Sequence, residues 1–258
     1  MINKGDYVTR NSYNNDVIFE VISVNGEECV LKGVDVRLMA DALSNDLVKC
    51  DYNRVTNDDE TDCVDFDLDK KDFFYIPGTI LQLDGDKSYL DRCLNFYKEL
   101  GLNACGVSLK ENDMSSKVTY YLNKFKPNIL VITGHDAYQK RSIGSKDLYK
   151  NSKYFIDAVS TARKYESDKD KLIIIAGACQ SNYLALISNG ANFASSPGKV
   201  NIHVLDPAII AANISLNEET NYLDLIQLLS KTKTGKNGFG GIKTKGTMLV
   251  GFPRNGGK

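Results

Sequence analysis

Apolar positions change rhythm along this chain. Through residues 1–55 they come in short alternating pieces: Tyr7-Val8-Thr9-Arg10, then Val17 to Val24, then Glu28-Cys29-Val30-Leu31-Lys32-Gly33. Alternation marks strands with one buried face, and Asn25-Gly26 between the second and third pieces is a hairpin signal. Several short strands with close turns predict a small, SH3-like β-barrel over 1–55. Residues 56–72 lose the pattern and carry eight acidic side chains, which predicts a solvated linker. The 73–258 region then alternates continuous apolar runs with helical periods. Strands are expected at 76–84, 104–109, 129–133, 172–176, 192–195, 201–205 and 247–252. Helices are expected at 88–100, 115–125, 151–165, 182–188 and 218–229. Leu90, Cys93, Leu94 and Tyr97 share one face of the first helix, and Phe155, Ala158, Val159 and Ala162 one face of the third. The helix over 115–125 stops short of Pro127. Such alternation defines an α/β fold: a mostly parallel sheet flanked by helices.

Composition removes several functions. The chain has 258 residues, 42% hydrophobic and 25% charged, with a net charge of −1, so nothing pulls it globally toward nucleic acid. No run nears the roughly 18 apolar residues of a membrane span. The opening Met1-Ile2-Asn3-Lys4-Gly5-Asp6 has no apolar signal region, so a cytoplasmic protein is expected. Six cysteines, at 29, 50, 63, 93, 105 and 179, form no Cys-x-x-Cys pair, and with only two histidines zinc is not expected. Asp65-x-Asp67-x-Asp69 fails as a calcium loop, because Lys70 and Ile76 stand where Gly and Glu are needed. Gly240-Gly241-Ile242-Lys243-Thr244 fails as a phosphate loop, because Ile precedes the Lys. The Lys- and Gly-rich stretch around 231–246 reads as a surface loop. No cofactor is called for.

Two strand ends carry chemistry. Ile173-Ile174-Ile175-Ala176 delivers Cys179 to a turn, and Ile129-Leu130-Val131-Ile132-Thr133 delivers His135 in the same way. Side chains at the carboxyl ends of parallel strands converge on one crevice. A thiol beside an imidazole can become a nucleophilic thiolate, and the imidazolium can then protonate a leaving amine. The Cys179 N–H, at the start of the following helix, is placed to hold an oxyanion, and that helix would favour the thiolate. Sulfur and imidazole are expected to face each other across a solvent-reachable notch. His203, inside Asn201-Ile202-His203-Val204-Leu205, is the competing base.

The pattern resembles the clan of caspases, gingipains, clostripain and separase, in which His ends one strand and the nucleophilic Cys the next. Gly177-Ala178-Cys179-Gln180-Ser181 is similar to its Cys block, and Ala191-Asn192-Phe193-Ala194-Ser195-Ser196-Pro197-Gly198 to its substrate-aligning strand. More narrowly, nearly the whole chain resembles the YabG family of sporulation-specific cysteine proteases of spore-forming Firmicutes. That resemblance is carried by Gly5-Asp6-Tyr7-Val8-Thr9-Arg10 with Ser12-Tyr13, Thr133-Gly134-His135-Asp136, Val200-Asn201-Ile202-His203, Leu205-Asp206-Pro207 and Gly246-Thr247-Met248. It implies a caspase-like peptidase domain over 73–258, with Cys179 as nucleophile and His135 as base. The implied substrates are spore-coat and cortex-processing proteins of the mother cell, with no membrane or nucleic-acid partner. The clan's Gly after the catalytic His, whose N–H completes the oxyanion hole, is here Asp136. Ser195 and Ser196 fall on the substrate-binding strand. Cleavage after Arg is expected, with Asp84 or Asp206 as the pocket acid; the slot two residues before the Cys, acidic in clostripain-like relatives, is Gly177.

Two other readings remain. A glutamine-amidotransferase-like hydrolase would use Cys179 with His203, although Ser181 stands where its second Gly belongs. A binding scaffold would use the barrel and leave the thiol inert.

Overall fold

The computed structural model describes residues 1–52, 64, 73–138 and 148–253. Its amino-terminal part is an antiparallel sheet of β1 (Tyr7–Arg10), β2 (Phe19–Asn25), β3 (Glu28–Gly33), β4 (Met39–Leu43) and β5 (Leu47–Lys49), in the order β4-β3-β2-β1-β5. Asn25 pairs with Glu28 across the expected hairpin, where Gly26 supplies a φ of +65°. The sheet is open, not the closed barrel that the short strands predict. Closure needs tilt and stagger that bring both edges together. Here β5 has three residues and pairs with β1, while β4 pairs with β3. The apolar face is covered instead by the rest of the chain: Val8, Phe19, Val21, Cys29 and Leu31 share one buried cluster with Tyr89, Phe96 and Tyr97.

The second part is built on β7 (Ile80–Asp84), β8 (Ala104–Ser108), β9 (Ile129–Thr133), β10 (Ile173–Ala176), β11 (Phe193–Ser195) and β12 (Phe239–Gly241). Their order is β12-β11-β10-β9-β7-β8, parallel throughout except for the β12 edge. Alternate residues face opposite ways. Ile129 and Val131 join the cluster formed with α1 (Lys87–Glu99) and α5 (Asp206–Ser215). Leu130 and Ile132 join the cluster formed with α2 (Glu111–Phe125) and α3 (Ser152–Tyr165). The α/β expectation therefore holds. In this doubly wound order the chain reverses direction of travel between β7 and β9, so their carboxyl ends lie at the switch point where such sheets commonly bind ligands.

Several expectations need correction. The strand over 76–84 is two strands, because Pro77-Gly78 breaks it; the first, β6 (Phe74–Ile76), pairs with β13 (Leu249–Gly251) in a separate ribbon. Residues 201–205 form no strand and make only a bridge between His203 and Val36. The 231–246 loop contains β12, which pairs with β11. Only α6 (Leu225–Ser230) forms within 218–229. α4 (Tyr183–Ser188) begins after Asn182, whose side chain accepts from the Ala185 N–H. The linker 56–72 lies outside the described residues apart from Val64, which is buried.

Candidate active site

The register of β9 against β10 aligns Ile132 with Ala176. His135 and Cys179 each lie three residues beyond that pair, past the carboxyl ends of neighbouring strands. Tyr89, on α1, lies against the imidazole, its ring 5.3 Å from the His135 ring.

Hydroxyl groups hold the turn that carries the thiol. Gly177 adopts φ +107°, and a Cβ there would meet Ser195 Oγ at 2.3 Å, so only glycine fits. Thr133 Oγ1 donates to the Gly177 carbonyl at 2.9 Å and Ser195 Oγ to the Ala178 carbonyl at 2.7 Å. The Ala178 N–H donates to Ser181 Oγ, and the Gln180 N–H to Ser196 Oγ and the Val200 carbonyl. Ser195 and Ser196 are buried and bound into this turn rather than lining a groove. The turn is not a helix start, so no helix N-terminus acts on the sulfur, contrary to the sequence expectation. Among the described residues, neither the Cys179 nor the Asp136 N–H donates a hydrogen bond. The Asp136 carboxylate is buried and accepts from Ser152 and Ser181 hydroxyls and from the Ala137 and Asn151 N–H groups. Burial raises its pKa above the usual carboxylate value against those donors.

Cys179 is fully buried, not open to a notch. Burial pushes its thiol up to about 12, against the Ile202 backbone and the Arg37 charge, which favour the thiolate. The Ile202 N–H donates to Sγ at 3.3 Å.

The imidazole has a partner that the sequence reading passed over. His135 Nε2 lies 3.1 Å from Asp86 Oδ2, while Nδ1 is buried with no partner among the described residues. Asp86 also caps α1 through the Ser88 and Tyr89 N–H groups and pairs with Lys32 at 2.6 Å. Burial alone would raise the Asp86 pKa, but hydrogen bonds from His135, Lys32 and Ser88 hold it well below the usual carboxylate range. The signal was Asp86 just ahead of the first amphipathic helix, a capping residue at the carboxyl end of a strand.

The remaining candidates fall apart in role. His203 Nδ1 accepts from the Leu205 N–H, and burial, with Arg92 nearby, lowers its pKa to about 4. Asp206 accepts from the His203, Lys233 and Thr234 N–H groups, an internal clamp whose pKa burial raises. Asp84, at the end of β7, is buried and holds a guanidinium: Arg37 Nη1 donates to its two oxygens at 3.1 and 3.0 Å. No group of three or more His, Cys, Asp or Glu placed to hold a metal occurs among the described residues, and no described helix is long and apolar enough to cross a membrane.

A thiol and a carboxylate-bound imidazole thus lie past the ends of neighbouring parallel strands. The family profile described as YabG peptidase U57 matches residues 3–67 and 57–253, which makes the chain a peptidase. It belongs to the YabG family: it is 40% identical over 281 residues to the sporulation-specific protease YabG of Bacillus subtilis (strain 168), across 96% of this chain and 97% of that protein. Among solved structures, a novel cobalamin-binding protein from Desulfitobacterium hafniense DCB-2 overlays with a TM-score of 0.35 and 14% identity, over 52% of this chain and 57% of that one. The isolated REC domain of RcsB from Salmonella enterica serovar Typhimurium overlays at 0.28 and 14%, over 44% and 69%.

Proposed function

We propose that this peptidase is a cysteine endopeptidase with Cys179 as nucleophile, His135 as general acid–base and Asp86 as the group that orients the imidazole. The matched placement of His135 and Cys179 beyond the Ile132–Ala176 pair carries the reading. Asp86 on Nε2 leaves Nδ1 as the ring nitrogen for the reaction. Nδ1 takes the thiol proton, the sulfur bonds to the substrate carbonyl carbon, and the oxyanion settles on the Cys179 and Asp136 N–H groups. Collapse breaks the C–N bond, and Nδ1 returns the proton to the leaving amine. Water, deprotonated by the same nitrogen, then releases the acyl group and restores the thiol.

Asp84 sits deep at the same edge and is the pocket acid, so cleavage follows Arg. Asp206 is assigned to structure, since backbone donors already fill it. Residues 1–55 act as a docking module, 56–72 as a linker and 73–258 as a caspase-like peptidase domain. The substrates are spore-coat and cortex-related proteins met in the mother cell.

The test is digestion of a candidate coat protein by wild type, Cys179→Ala, His135→Ala and His203→Ala, with the cut ends sequenced. Loss in the first two variants, retention in the third and ends after Arg are expected. Cleavage by Cys179→Ala would overturn the nucleophile, and loss in His203→Ala alone would install the other histidine.

A further inference from the structure

The hairpin between β3 and β4 docks on the candidate active site in the manner of a peptide. Tight bonds close it: the Gly33 N–H donates to the Leu38 carbonyl at 2.7 Å and the Leu38 N–H to the Val36 carbonyl at 2.9 Å. Its outer edge then pairs with the segment beside the thiol. The Arg37 N–H donates to the Ile202 carbonyl and the Val204 N–H to the Asp35 carbonyl, each at 3.1 Å, with Val36 bridged antiparallel to His203. Contacts at alternate residues, 35 and 37 against 204 and 202, follow the alternation by which a peptide pairs its backbone with an exposed edge. Ile202 is the residue whose N–H reaches Cys179 Sγ, so Arg37 sits next to the sulfur.

The side chain continues the pattern. The Arg37 guanidinium is fully buried against Asp84, with Nε and Nη2 donating to the Val204 carbonyl at 3.2 and 3.1 Å. α1 holds the hairpin from the other side: Tyr89 Oη donates to the Gly33 and Val36 carbonyls, Arg92 donates to the Val34 carbonyl at 2.8 Å and pairs with Asp35.

We infer that residues 33–38 are a built-in occupant of the substrate cleft, with Arg37 standing where a substrate's arginine before the cut would lie, and that the peptidase is latent until this hairpin is displaced. The inference rests on the cysteine-peptidase reading above and deepens it. It accounts for a nucleophile that is sealed: the roof is a segment shaped like the substrate. An incoming peptide competes for the 202–204 edge and for Asp84.

The experiment measures Cys179 alkylation in the folded full-length chain, by peptide mass mapping, with iodoacetamide and with a peptidyl-arginyl chloromethyl ketone. Wild type, Arg37→Gln and Arg92→Ala are compared, with melting curves as the folding control. Arg92→Ala loosens the hairpin without stripping Asp84 of its partner, so it carries the test if Arg37→Gln does not fold. Both reagents are expected to label Cys179 at least about 10-fold faster in the folded variants, and hydrolysis of an arginyl peptide is expected to rise with them. A chain cut so that Leu38 becomes the new amino terminus would also support the placement of Arg37. Labelling of wild type as fast as an exposed thiol, or folded variants that label no faster, would overturn it. If Cys179→Ala abolishes cleavage while Arg92→Ala changes nothing, latency fails and the nucleophile stands; if Cys179→Ala still cleaves, the nucleophile itself has failed.

Discussion

Asp86 joins two jobs in one carboxylate: it caps α1 and it fixes His135. The two separate by substitution. Asn caps a helix about as well as Asp, so Asp86→Asn leaves the start of α1 intact, whereas Asp86→Ala costs roughly 1 kcal/mol there. Both lose the carboxylate on Nε2. Turnover is expected to fall between about 10²- and 10⁴-fold in both variants, because the imidazolium loses its counter-charge and the wrong tautomer is favoured. Unchanged turnover in Asp86→Asn would leave Asp86 a cap only. Burial favours the neutral form, so Cys179 keeps its proton up to about 12 against an ordinary 9.0. That preference contributes stability in full below 9.0 and loses it as pH climbs toward 12. In the closed wild type the logarithm of the alkylation rate is expected to rise without a plateau between about pH 7 and 10. A plateau at the ordinary thiol value would show the sulfur to be solvated.

The elements show which parts of the site were legible in the sequence and which were not. β9 and β10 are short aliphatic runs bounded by turn residues, buried on both faces, and that pattern alone located both strand ends and their His and Cys. α5 went unread because all ten of its residues are buried, so it has no polar face and no period. β12 went unread because Phe239-Gly240-Gly241 has little strand character of its own and owes its place to pairing with β11. The 201–205 run reads as a strand, yet Asp206 draws the chain into a turn: its carboxylate gathers the His203, Lys233 and Thr234 N–H groups. Asp206→Ala takes the carboxylate acceptor from the Lys233 and Thr234 N–H groups, while the His203 N–H keeps Thr234 Oγ1, and is expected to lower stability by roughly 1–2 kcal/mol. With Asp84 as the proposed pocket acid, cleavage after Arg is expected to persist in that variant, read from mapped ends on a peptide library. A lost arginine preference would return Asp206 to the pocket. Gly177→Ala belongs to the same scale, because the added Cβ strikes the Ser195 hydroxyl that fastens β11 to the Cys turn. The φ of +107° adds strain, and together they are expected to cost at least about 1–3 kcal/mol in a thermal melt, with activity falling further than stability.

Across the whole molecule, the amino-terminal sheet and the parallel sheet share one buried cluster. The sequence reads them as two modules joined by a linker, and nothing local in it announces that Arg37 will meet Asp84, 47 residues away. The meeting follows from tertiary packing: an open sheet has an uncovered apolar face, α1 covers it, and the β3–β4 hairpin is carried onto the crevice by the same docking. One buried cluster runs from Val8 to Phe239 across both parts. A shared core together with a fully buried ion pair predicts that both parts unfold as one unit. The chain has no tryptophan, so a Trp in place of Tyr7 can report the first sheet while far-UV circular dichroism reports the helices. The two probes are expected to give coincident urea transitions. Arg37→Ala strands the Asp84 charge in a dry site, and breaking such a pair costs roughly 3–5 kcal/mol. That variant is expected either to shift both transitions together to lower urea or to split them, the first sheet melting first. Two resolved transitions in the wild type would mean that the sheets are only tethered, and the hairpin could then leave the crevice without any trigger.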